Sequence, residues 1–210
     1  MLASKTVTEL LEAFSTPTPT PGGGSAAALA GAVGAALLAM VAAMPKTKTG
    51  TPEERAALDE VLPKLLAARD RLRALIDEDA ASYDAVVAAY RLPKATDEDK
   101  AARKAAIAKA MQGATDVPME TMRQASRLFA LGRTVGESGN PNAKSDAVVG
   151  FQLAMAAMGG AFLNVHTNLE GMTDQAYRDR IKAEVKTLQA SGMDMVEAVK
   201  ALGYDKHIEL

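Results

Sequence analysis

Apolar residues return at steps of three and four along most of the chain, the repeat of one helix face. No stretch shows the every-other-residue alternation of a half-buried strand. The pattern predicts a short amphipathic helix over residues 6–14. Residues 15–24, STPTPTPGGG, cannot continue it, because three prolines fix an extended path and three glycines loosen it. An uncharged helix is expected over 25–44, with the Ser25 hydroxyl as its N-cap. Ala27, Gly31, Ala35, Ala39 and Ala43 stand four apart on it, a stripe that lets another backbone come close. A break at 46–51 leads to a long helix over 52–90, opened by Pro52, Glu53 and Glu54, with a kink expected at Pro63. The next helix is predicted from Thr96-Asp97 to about Val135, bent at Pro118. A turn-rich loop follows over 136–144, then a helix to about Asn168 capped by Ser145 or Asp146. A charged amphipathic helix over 174–190 and a short one over 194–202 complete an all-α, single-domain bundle of about six helices over 1–210.

Polar residues at apolar positions carry the candidate chemistry. Leu58, Leu62, Leu65, Arg69, Leu72, Ile76, Asp79, Tyr83, Val86 and Tyr90 share one face of the long helix. Arg69 can snorkel to water. Asp79 is costly there unless a neighbouring Arg or Lys pairs with it, the helix turns it outward, or the protein uses it. Gly22-Gly23-Gly24-Ser25 precedes a helix start, where exposed backbone N–H groups and the lack of side chains permit close approach by a ligand. It is neither a P-loop nor a dinucleotide fingerprint, and a flexible turn explains it equally well. Asn140, Asn142, Ser145 and Asp146 cluster before another helix, as turn and cap chemistry or as the lining of a polar pocket. Asn164 and Asn168 present two amides to one ligand or one neighbouring backbone.

Composition narrows the class. With 24 Lys+Arg against 26 Asp+Glu the formal charge is -2, which argues against a dedicated nucleic-acid binder. There is no Cys, so thiolate nucleophiles and disulfides are excluded, in keeping with a reducing, cytoplasmic setting. Two His, His166 and His207, do not make a His-rich metal site. The 25–44 segment is long enough to span a membrane, but more than half of it is Ala or Gly and no second candidate segment is evident, so a buried central helix is expected.

The stretches Pro19-Thr20-Pro21-Gly22-Gly23-Gly24-Ser25, Asp79-Ala80-Ala81-Ser82-Tyr83-Asp84, Leu92-Pro93-Lys94-Ala95-Thr96-Asp97, Ala114-Thr115-Asp116-Val117-Pro118, Gly139-Asn140-Pro141-Asn142 with Ser145-Asp146-Ala147, and Leu163-Asn164-Val165 stand in a telling order. Together they resemble the cyclodeaminase/cyclohydrolase family of folate enzymes over nearly the whole chain. That family includes the cyclodeaminase half of formiminotransferase-cyclodeaminase and stand-alone methenyltetrahydrofolate cyclohydrolases. The likeness is greater to the stand-alone kind, since 210 residues leave no room for a formiminotransferase domain. One turn departs: residues 45–51 keep a basic position at Lys48 but lack the family's Gly and Tyr.

The resemblance implies an all-helical subunit, a homodimer, and a folate site in a cleft near the dimer contact, with no metal or other cofactor. It implies hydrolysis of 5,10-methenyltetrahydrofolate to 10-formyltetrahydrofolate by water attack on the amidinium carbon. Asp79 and Asp146 are then the expected carboxylates, one facing the cation or acting as base, the other binding the pterin. Lys48 is the expected proton donor or tail contact. Gly22, Gly23, Gly24, Ser25, Asn140, Asn142, Ser145 and Asn164 are the expected substrate contacts, with Asp84 and Asp116 in reserve. Lys46, Lys48 or Lys144 could receive an acidic folate tail. The alternatives are cyclodeamination of 5-formiminotetrahydrofolate with ammonia release and a non-catalytic helical dimer.

Overall fold

Three reciprocal capping boxes start helices: Thr6 with Glu9, Thr51 with Glu54 and Thr96 with Asp99. Each side-chain oxygen takes up a backbone N–H that the first turn leaves without a partner. The computed structural model describes residues 1–46 and 50–199, with side chains to residue 190. Its helices are α1 (Val7–Phe14), α2 (Gly23–Ala43), α3 (Pro52–Tyr90), α4 (Asp97–Ser138), α5 (Lys144–Glu170) and α6 (Gln175–Val199). Short 3-10 turns stand at Leu2–Ser4 and Pro141–Ala143. Among the described residues there is no strand, so the all-α expectation holds.

α2 to α5 form an up-down-up-down ring. Each packs on the next, and α5 closes back on α2. The core is one continuous cluster of Ala, Leu, Val, Ile and Met side chains with a few aromatics. α2 and α5 touch nearly backbone to backbone: a Cβ added at Gly34 would lie 2.7 Å from the Gly150 carbonyl oxygen. α6 lies outside the ring against α4 and α5. Arg123 holds it with paired bonds to Glu184 at 2.6 and 3.0 Å. The Tyr177 hydroxyl also holds it, donating to Asp116 at 2.7 Å.

Several boundaries differ from expectation. Ser25 is not an N-cap: α2 begins two residues earlier, behind Gly22, with Ser25 buried in its first turn. Glycines tolerate that entry and leave the hydroxyl free for a partner on another helix. The 136–144 loop is mostly helical, since α4 runs to Ser138 and Pro141–Ala143 forms a 3-10 turn. Neither Ser145 nor Asp146 caps α5, whose N-cap is Ala143; the Asn140 side chain instead accepts from the Asn142 amide. α6 runs unbroken to Val199, so the proposed separate helix merges with it as far as residue 199. Two segments, Gly23–Ala43 and Pro141–Glu170, are long and apolar enough to cross a membrane, where one was expected. In the fold both are ring helices with one side buried against their neighbours.

Candidate functional site

The ring wiring decides which candidates meet. Antiparallel packing brings the first turn of α2 level with Asp79 of α3 and with Asn164 near the end of α5. The Ser25 hydroxyl lies 2.9 Å from Asp79 Oδ2 and 2.9 Å from the Ile76 carbonyl oxygen. The backbone of Ser25 supplies a further hydrogen bond to the same carboxylate. That N–H belongs to the first helical turn, which has no partner within α2. A Cβ at Gly24 would stand 2.1 Å from Asp79 Oδ1, so a larger residue there would displace the carboxylate. At Gly23 a Cβ would lie 3.5 Å from Asn164 Nδ2, which donates to its own helix at the Gly160 carbonyl. Gly22, Gly23, Gly24, Ser25, Asp79 and Asn164 thus form one cluster.

Asp79 is half-buried, and among the described residues no Lys or Arg pairs with it. Neither the ion-pair reading nor the outward-turned reading holds. Burial pushes its carboxyl above the ordinary value, against the lowering effect of the Ser25 hydrogen bonds. Arg69 does reach out, pairing with Asp70 at 3.0 Å.

Asp146, Asn140, Asn142 and Ser145 gather at the opposite end of α2 and α5. The Asn140 amide donates to the Pro45 carbonyl at 2.8 Å, fixing that end. Asp146 and Asn164 are 18 residues apart on α5, which is about 27 Å along a helix axis. Within one chain the two carboxylates do not meet. Lys48 lies outside the described residues. Lys46 is engaged with Glu54 at 2.7 Å. Asp116 is taken by Tyr177, Asp84 is exposed, and Asn168 donates to the Ala114 carbonyl of α4 at 2.7 Å. His166 is exposed beside Glu170. Among the described residues no group of three or more His, Asp or Glu is placed to hold a metal.

Two aromatic residues escaped the sequence-based site. Tyr83 and Tyr90 continue the Asp79 face of α3 but are 41% and 53% exposed, because α2 starts level with Asp79 and does not extend over them. Their place in an otherwise core-forming stripe was the available signal. The carboxylate therefore lies beside the first turn of α2, on a face of α3 that goes on to expose Tyr83 and Tyr90. Such a site can hold a flat cation and present a base to it.

The chain is 40% identical over 199 residues to the methenyltetrahydrofolate cyclohydrolase of Methylorubrum extorquens, covering 95% of this chain and 96% of that protein. It is 31% identical over 182 residues to the formimidoyltransferase-cyclodeaminase of Sus scrofa, of which it spans 34%. A crystal structure of formiminotetrahydrofolate cyclodeaminase from Thermotoga maritima superposes with a TM-score of 0.85 at 24% identity, covering 96% of this chain and 97% of that one, and so shares the fold. With the family model matching residues 6–187 as well, the chain belongs to the formiminotransferase-cyclodeaminase family.

Proposed function

We propose that this chain is a methenyltetrahydrofolate cyclohydrolase whose reacting carboxylate is Asp79. The observation that carries the assignment is a half-buried carboxylate, held by Ser25, with no cationic partner among the described residues. The substrate brings the missing positive charge as its amidinium. The likeness to the Methylorubrum extorquens enzyme, over nearly the full length of both chains, supports the reaction.

Water adds to the single bridging carbon and gives a tetrahedral carbinolamine. Asp79 accepts the proton that water loses. The bond to N5 then breaks, N5 takes up a proton, and the formyl group stays on N10. A carboxyl raised above its ordinary value by burial is, once ionised, a stronger base than a free aspartate. Ser25 holds it in one orientation. The chemistry asks for no metal or other cofactor, and we place it in the cytoplasm.

Asp146 enters through a second copy. The outer faces of α2 and α5 leave Val33, Met40, Val149, Met155 and Leu163 uncovered, 36% to 64% exposed. A two-fold axis in the plane of that contact, perpendicular to the helices, lays the Asp79 end of one protomer over the Asp146 end of its partner. A homodimer built this way sets Asn140, Asn142, Ser145 and Asp146 of one protomer against Asp79 of its partner and makes two composite sites. Mixing Asp79→Asn with Asp146→Asn protein tests it. Each variant alone should be nearly inactive, while the mixture should recover roughly a quarter of wild-type turnover, the statistical share of intact sites when subunits exchange freely. Two inactive variants whose mixture stays inactive, despite subunit exchange, would refute the shared site.

Cyclodeamination remains the second reading, favoured by the match to the Sus scrofa relative. Separate assays with the methenyl and formimino substrates decide between them: ammonia release without methenyl hydrolysis would reverse the assignment.

A further inference from the structure

One turn of α3 fastens both ends of a single segment of chain. The Asp77 carboxylate accepts from the backbone N–H groups of Leu2 and Ala3, the second at 3.2 Å. Both residues also pack against the core there. On the same turn, the Ile76 carbonyl and the Asp79 carboxylate receive the Ser25 hydroxyl. Residues 4–21 therefore form a strap, held at Asp77 and again at the start of α2. The strap is ordered from within. Thr6 and Glu9 cap α1 reciprocally, and the Ser15 hydroxyl donates to the Leu11 carbonyl at 2.9 Å. Thr18 donates to the Thr20 carbonyl at 2.9 Å, and Pro17, Pro19 and Pro21 restrict the backbone around it. The strap turns back beside the start of α2, where a Cβ added at Gly22 would lie 3.3 Å from the Pro19 carbonyl oxygen. Packing on the bundle holds its middle only weakly. In α1 Leu10 is buried, but Val7 and Leu11 are 75% and 59% exposed.

We propose that Asp77 is a positioning residue for the Asp79 site, acting through this strap. The kinetic part of the inference rests on the folate reading. A ligand at Asp79 lies beside the strap's return, residues 19–24, because that return ends on the serine that holds Asp79. Fastened at both ends, the return offers the ligand one shape. Released at Asp77, it takes many, and binding must then order it at a cost in affinity. The reacting groups are untouched by the release, since the core sets α2 and α3 against each other. Asp77 therefore acts on KM and leaves kcat alone.

Two measurements on the full chain test it. Lys5 is the only basic residue before Lys46, so trypsin cleavage after Lys5 reads the strap without any substrate. Asp77→Ala should be cut there roughly tenfold faster than wild type. In turnover assays well below the melting temperature, the same variant should raise the KM for the methenyl substrate roughly fivefold, with kcat nearly unchanged. Asp77→Asn keeps one acceptor oxygen and should recover part of both effects. A second pair of variants approaches the contact from the strap. Leu2→Pro removes one donated N–H, whereas Leu2→Ala keeps it and loses the same packing. The proline variant should show the higher KM and faster cleavage of the two. Faster cleavage with a wild-type KM would make Asp77 a purely structural residue and overturn the proposal. A raised KM without faster cleavage overturns the route through the strap. If wild type turns over neither folate substrate, the folate reading falls. Faster cleavage of Asp77→Ala then still supports the fastening, and unchanged cleavage overturns it.

Discussion

Asp79 costs the folded protein stability in the form that catalysis needs. Its carboxyl is raised by burial. The sign follows directly: a group with a higher pKa when folded favours folding at low pH, and that contribution is lost as pH rises through the folded value. Asp79→Asn removes the loss. Above the ordinary carboxylate range the variant should unfold at an equal or higher temperature than wild type, while turnover collapses. Calorimetric scans beside activity assays check both. A variant that unfolds earlier at neutral pH would mean that Asp79 serves the fold. In wild type, activity should fall on acidification as Asp79 becomes protonated. Ser25→Ala should cost about 1–3 kcal/mol, because the fully buried hydroxyl shares its one proton between the Ile76 carbonyl and Asp79. It should also shift the acid limb of the rate profile upward, since the Ser25 bonds hold the carboxyl down.

At the scale of the element, the α2–α5 contact is limiting. Gly34 meets the Gly150 carbonyl, and Gly31 would place a Cβ 3.1 Å from both Ala157 and Leu72. Gly34→Leu should therefore lower stability by about 1–3 kcal/mol or more, the range for overpacking a closed core, and urea denaturation measures it. The helices themselves were legible, because capping residues and three–four periodicity are local. The small-residue stripe was also legible, although Ala43 proved exposed and Gly34, off the four-residue spacing, makes the closest approach to the α5 backbone. Helix ends were less so: a Gly-led start two residues before Ser25 and an α4 that runs through Gly136 are settled by packing. The Asp79 anomaly was visible as a carboxylate in an apolar stripe. Its partner was not, because Ser25 is 54 residues away and only the ring wiring joins them. The same wiring separates Asp79 from Asp146, which motif order alone could not reveal.

For the whole molecule, the uncovered apolar face of α2 and α5 carries a prediction of its own. Val33→Asp with Met155→Asp should shift the protein to a monomer in sedimentation and remove activity if each site is shared. A fully active monomer would contradict the composite site. The close approach of α2 and α5 has a different consequence. With backbones this near, neither helix can slip along or roll against the other without driving a side chain into the seam. The pair therefore acts as a ruler between its two ends. One extra residue inserted between Gly31 and Gly34 would rotate one end of α2 by about 100° relative to the other. Such an insertion should abolish turnover without touching a single reacting group.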